Sequence, residues 1–147
     1  KKTFIYAGAA ADPSCKNQRS LENRIRKKKE AGAQFVQTQM VMEKENLINF
    51  CEKIAEPLEI PVIAGVFLLK SYKNALFINK YVPGANIPEN ILNRLKDAKN
   101  PLEEGIQIAA EQAQDFFYIA NGIHLMAVKT EHLIPEILEK ANLSLEY

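Results

Sequence analysis

Apolar positions along this chain switch period in a regular alternation. Short apolar runs stand at residues 4–8, 35–41, 61–69 and 123–128, of which 61–69 is continuous. Between them lie stretches whose apolar residues recur every three to four positions. Unbroken runs suit strands covered on both faces, and a period near 3.6 is that of an amphipathic helix. The first run ends in a small-residue loop over residues 9–13. A helix follows from about Leu21, with Leu21, Ile25 and Ala31 as its inner stripe and Gly32 where a C-cap belongs. Leu47, Ile48, Cys51, Ile54 and Ala55 predict a second helix, which Pro57 helps to end. Ser71 is placed to cap a third, with Ala75, Ile78 and Tyr81 on its inner face. A turn over residues 82–86 leads to Pro88 as the first residue of a fourth helix, reaching Ala98. Asn100, Pro101 and Glu103 supply an N-cap, an N1 proline and an acidic first turn for a fifth, running to about Ala120. Ile134, Ile137 and Leu138 mark a last helix.

Strands alternating with helices predict an α/β fold with a parallel sheet and right-handed crossovers. Four such units make either an open sheet or one half of an eight-stranded barrel, and the pattern alone leaves both open. A free half-barrel exposes two unpaired strand edges, so it requires a partner half or a second copy of itself.

Composition narrows the class without naming a chemistry. The 147 residues form one expected domain, 47% hydrophobic and 25% charged, with a net charge of +1. No apolar run approaches the roughly 18 residues of a membrane span, and no signal peptide precedes the first strand. Cys15 and Cys51 lack metal-ligand spacing and read as reduced thiols of a cytoplasmic protein. A chain that opens on Lys1 and enters a strand at once reads as a piece of something longer.

In parallel α/β folds the working residues sit at the C-terminal ends of the strands. Those ends offer Asp12, then Thr38 and Gln39, then Lys70 and Asn74, then Lys129 and Thr130. Gln39 is the most informative, because an amide can both donate to and accept from the edge of a heterocycle. The competing reading is a structural glutamine bonded to a neighbouring strand or loop. In the basic run 24–29, Arg26 and Lys29 fit a solvated face, while Lys28 falls on the stripe that faces the core. It either snorkels past the sheet or points into the site, with Arg24 and Lys27 beside it. Such a cluster suits the phosphates of a nucleotide cofactor. Nucleic acid is disfavoured, since no aromatic residues interleave with the basic ones. His124 and His132 have no nucleophile partner, Glu103 and Glu104 read as ordinary first-turn charge, and Gly8 and Gly65 form no dinucleotide fingerprint.

One ordered series of motifs goes further. Gly8-Ala9-Ala10, Lys28 through Ala31-Gly32-Ala33, Thr38-Gln39 and residues 61–66 come first. Tyr81-Val82-Pro83-Gly84, Ile87-Pro88, Glu104-Gly105-Ile106 and Gly122-Ile123-His124-Leu125-Met126 follow. Together they resemble the methylenetetrahydrofolate reductase family over essentially the whole chain. The resemblance implies the C-terminal half of a (βα)8 TIM-type barrel that holds FAD. It implies hydride transfer from NAD(P)H through the flavin to methylenetetrahydrofolate. By position it places Ala10, Asp12, Arg24, Lys27 and Lys28 at the cofactor, Gln39 at the folate pterin and the nicotinamide, and Asn74 near the substrate. It implies no metal. The acidic catalytic residues are expected from an N-terminal half, so this fragment alone is expected to be inactive. Asp12, Leu21, Ile78 and Thr130 depart from residues found in relatives, which bears on substrate affinity. The alternatives are a folate-binding or docking half without flavin chemistry, and a structural domain that pairs with itself.

Overall fold

The computed structural model describes residues 4–143, in which four parallel strands alternate with helices. Strand β1 (Gly8–Ala11) leads to α1 (Gln18–Glu30), and β2 (Phe35–Met40) leads to α2 (Lys44–Phe50). Helix α2 continues through one wide π turn, Cys51–Ala55. Strand β3 (Val62–Phe67) is followed by three helices, α3 (Tyr72–Tyr81), α4 (Glu89–Asp97) and α5 (Pro101–Ile119). Strand β4 (Gly122–Met126) is followed by a 3-10 turn, Glu131–Leu133, and by α6 (Ile134–Lys140).

The sheet order is β1-β2-β3-β4, so each crossover steps to the next strand in one direction. Crossovers of one hand and one direction all lie on the same face of a sheet. That is the rule of a barrel, without the reversal of strand order that marks a doubly wound open sheet. Ala11, Val36, Val62, Ala64 and Val66 accordingly pack under Ile25, Leu47, Phe50, Ala109, Phe116 and Ile137. On the opposite face the register aligns Gly8 with Phe35, Gln37 with Ile63, Gly65 with His124 and Phe67 with Met126. There Phe35, Gln37, Ile63, Phe67 and His124 are all half-exposed. The described chain is half of a (βα)8 barrel with its inner face open.

Helix α5 takes the crossover position between β3 and β4. Its approach requires Gly105, because a Cβ there would sit 1.7 Å from the Leu69 carbonyl oxygen. Helices α3 and α4 build a second core from Met40, Leu69, Ala75, Ile78, Ile87, Ile91 and Leu95, with Phe67 and Met126 packed against it.

Five local expectations are corrected. Ala31, expected on the inner stripe of α1, is exposed and is the C-cap, because six residues on from Ile25 it has turned away from that stripe. The first strand is Gly8–Ala11, so residues 9–11, expected in a loop, form it, while Phe4, Ile5 and Tyr6, expected in the strand, are 97%, 75% and 68% exposed. Pairing outweighs propensity here: Gly8 stands opposite Phe35, the first residue of β2, and the alanines behind it are the ones with a partner. Tyr81 is exposed, because Val82, seven residues on from Ala75, completes the inner stripe of α3. Pro88 is the N-cap of α4, and the helix itself begins at Glu89. Lys29 is half-buried and donates to the Leu58 carbonyl, so its ammonium serves the fold and does not stand free in water.

Candidate functional site

The site begins with an irregularity in β2. Gln37 pairs with Ile63 but Met40 pairs with Gly65, so β2 carries one extra residue at Thr38–Gln39. Bulges bend a strand and re-aim its side chains. Buried Thr38 repairs the ladder: its Oγ1 accepts the Gly65 N–H at 2.9 Å and donates to the Gln39 carbonyl at 2.7 Å. Gly65 is part of the same device. A Cβ there would lie 2.9 Å from the carbonyl oxygens of both Thr38 and Gln39.

Beside the bulge lies a cleft of about 700 Å³, walled by Gly8–Ala11, by Leu21, Arg24, Ile25 and Lys28 of α1, and by Phe35, Gln37 and Gln39. Small side chains on β1 open this space, and at Gly8 they admit an aromatic neighbour. A Cβ on Gly8 would fall 2.3 Å from the Phe35 ring, which stacks on Tyr6. Asp12 closes one end, its Oδ1 accepting the Ser14 N–H at 2.9 Å. Lys28 reaches over β1 and donates to the Ala10 carbonyl at 2.5 Å. The Ala7 carbonyl accepts the Gln34 N–H, so alternation turns the Ala10 carbonyl away from β2, onto the outer edge. Arg24 donates to Cys15 Sγ at 3.2 Å.

Gln39 is bonded at both ends of its amide. Nε2 donates to the Pro83 carbonyl at 3.0 Å, and Oε1 accepts the Met40 N–H at 2.9 Å. The segment carrying Pro83 also meets Asp12. Gly84 has φ +79°, and a Cβ on it would lie 2.8 Å from Asp12 Oδ2. Both features require glycine.

Five of the seven residues singled out from the sequence thus share one cleft: Ala10, Asp12, Arg24, Lys28 and Gln39. Lys27 lies with Arg24 and Arg19 in an adjoining groove of about 350 Å³. Asn74 lies apart, after β3, where Oδ1 accepts the Lys70 N–H and its own N–H is capped by Ser71. Lys70 donates from Nζ to the Val128 carbonyl at 3.1 Å, tying the ends of β3 and β4 together.

One partnership escaped the sequence reading. Gln37 Nε2 lies 2.6 Å from His124 Nδ1, across β3. The bridge passes over the strand at the level of Gly65, the register partner of His124, where no side chain intervenes. The signal was present in the spacing: Phe35, Gln37 and Gln39 alternate, which placed two amides close together on a strand that otherwise read as apolar.

The strongest electrostatic features lie elsewhere. Arg94 of α4 pairs with Glu104 and Glu111 of α5, each at 2.7 Å. Donation from Arg94 holds the Glu111 carboxyl below its ordinary range. Burial, helped by Glu56 and Glu52, pushes the Cys51 thiol up to about 11. Among the described residues no cluster of metal-ligating side chains is present, and no helix is long and apolar enough to cross a membrane.

Comparison with known proteins gives this geometry a context. The chain is similar to methylenetetrahydrofolate reductase 2 of Saccharomyces cerevisiae, 28% identical over 128 residues. It is also similar to methylenetetrahydrofolate reductase 1 of Schizosaccharomyces pombe, 25% identical over 127 residues. Each match covers 81% of this chain and 21% of the yeast protein, so the chain spans about a fifth of their length. Among solved structures, it superposes on an uncharacterized protein from Clostridium thermocellum that binds two copies of 5-methyl-5,6,7,8-tetrahydrofolic acid. The TM-score is 0.69 at 20% identity, covering 91% of this chain and 51% of that one. That likeness supports the fold. The family model of methylenetetrahydrofolate reductase matches residues 6–142, nearly the whole chain, and the chain therefore belongs to the methylenetetrahydrofolate reductase family.

Proposed function

We propose that this chain is the C-terminal half of the catalytic barrel of a methylenetetrahydrofolate reductase, binding folate at Gln39 and FAD along β1 and α1. One observation carries the reading: Asp12, Arg24, Lys28 and Gln39, from two strand ends and the intervening helix, converge on a single cleft. Its volume, about 700 Å³, falls in the range of small-molecule and cofactor sites, roughly 300–1,000 Å³.

The residues present suit a flavin nucleotide. Ala10, exposed and small, leaves room for a flat ring against β1, and Arg24 and Lys28 supply cations for its phosphates, with Lys27 at the flank. When bound, the flavin would supply hydride chemistry between NAD(P)H and the folate. This chain's own residues bind and orient. Gln39 presents an amide to the folate edge, Lys28 holds charge beside β1, and Phe35 keeps water from the inner wall. The acids of the reaction belong, in this reading, to an N-terminal half pairing with the outer edges of β1 and β4, or to a second copy there.

The test is co-expression with an N-terminal barrel half of the same family, followed by absorbance spectra and NADH oxidation. Bound yellow flavin with turnover, and Lys28→Ala weakening flavin retention by about tenfold or more, supports the reading. A second reading, a folate-binding half without flavin, draws on Leu21 and Ile78. These departures are 2% and 4% exposed: Leu21 packs in the core while lining the cleft, and Ile78 packs in the second core. A colourless complex that binds folate would select it.

A further inference from the structure

Asp12 and Gln39 end neighbouring strands, and both meet the short segment 82–88 that joins α3 to α4. This segment is a strap that passes beside those two strand ends. Its Ala85 N–H turns back to the Val82 carbonyl, and Ala85 and Ile87 are buried in the second core. One polar side chain holds its far end. Asn79 donates from Nδ2 to the Ile87 carbonyl at 3.0 Å and accepts the Ile87 N–H on Oδ1 at 2.8 Å. Two bonds to one residue fix it against both sliding and twisting.

We propose that Asn79 is a positioning residue for the ligand site: through the strap it holds the Pro83 carbonyl against Gln39 and so fixes the direction of the Gln39 amide. The partners determine that direction. The Pro83 carbonyl can only accept and the Met40 N–H can only donate, so Nε2 and Oε1 cannot exchange places. One N–H and one oxygen lone pair of Gln39 are then left for a ligand. That pair complements a heterocycle edge with an acceptor beside a donor, as in the amide edge of a pterin. The proposal rests on the reading of this cleft as a folate site.

The first measurement needs no ligand. In the full chain, NMR exchange of the Gln39 side-chain amide protons should quicken by about tenfold in Asn79→Ala. Unchanged exchange would overturn the proposal. The second is calorimetric binding of 5-methyltetrahydrofolate to the complex with an N-terminal barrel half, made with the wild type, Asn79→Ala, Gln39→Ala and the double variant. Asn79→Ala should weaken binding about fivefold when Gln39 is present and less than about twofold when it is alanine. Equal weakening in both backgrounds would make Asn79 merely structural and sink the idea. Should Asn79→Ala fail to fold, Asn79→Asp keeps the acceptor for the Ile87 N–H and should show the same pattern, reduced. Quickened exchange in a protein that binds no folate would uphold the positioning role and retire the folate reading.

Discussion

On the helix side of the sheet, Val36, Val62, Ala64 and Val66 are at most 1% exposed and belong to one apolar cluster. On the other side, the same strands carry Gln37, Gln39 and His124, half-exposed and hydrogen-bonded. The difference lies in what each face has to satisfy. The first is closed by crossover helices and needs only apolar volume. The second is closed by whatever enters it, and it tolerates polar groups because water, neighbouring backbone or a ligand can pair with them. Stability and recognition are thus separated by the two-residue period of a strand.

The sharpest way to break this comparison is to cut a large side chain from each face. Phe50→Ala, deep under the helices, should cost about 3–5 kcal/mol in urea unfolding, whereas Phe35→Ala should cost about 1 kcal/mol. Equal losses would mean that the inner face is as closed as the outer. Next in size is Gly105→Ala. The clash with the Leu69 carbonyl forces α5 off the sheet, and a loss of about 3 kcal/mol should appear as a lowered melting temperature. The Gln37–His124 bridge is expected to be worth about 1 kcal/mol, read as the coupling in a double-mutant cycle. Additive losses would show that the two side chains do not support one another.

Cys51 gives a pH test on the closed face. Its folded value, about 11, lies above the ordinary 9.0, so the neutral thiol is favoured by the fold. The corresponding stability is complete below pH 9 and is lost as pH rises towards 11. Cys51→Ala should flatten the alkaline limb of unfolding relative to the wild type, and an unchanged limb would contradict the burial effect. The smallest expected effect is at the surface. Glu111 gains stability from Arg94 above the ordinary carboxylate range and loses it as pH falls through its depressed folded value. The pair is largely solvent-screened, so Glu111→Gln should cost no more than about 0.5 kcal/mol and weaken the acid dependence slightly.

Much of this was legible from residue order. Asn100 and Pro101 announced α5, Ser71 announced α3, and Gly32 adopts the positive φ of a helix C-terminus. Gln39 and Lys28 stood out because an amide at an apolar strand end and a lysine on a core-facing stripe both break a local pattern. Other features were hidden. The bulge of β2 exists only where Gly65 lies opposite it, and the Gln37–His124 bridge joins residues 87 positions apart.

The sequence by itself determined most of the strands and helices, where most of them end, and most of the apolar stripes, because capping chemistry and hydrophobic period act within a few residues. Tertiary structure alone decided where β1 begins, that Tyr81 faces outward, that Pro83 bonds Gln39, and that Asn79 bonds Ile87. Those outcomes depend on pairing partners and close approaches between segments far apart in the chain, and no local pattern encodes such distances.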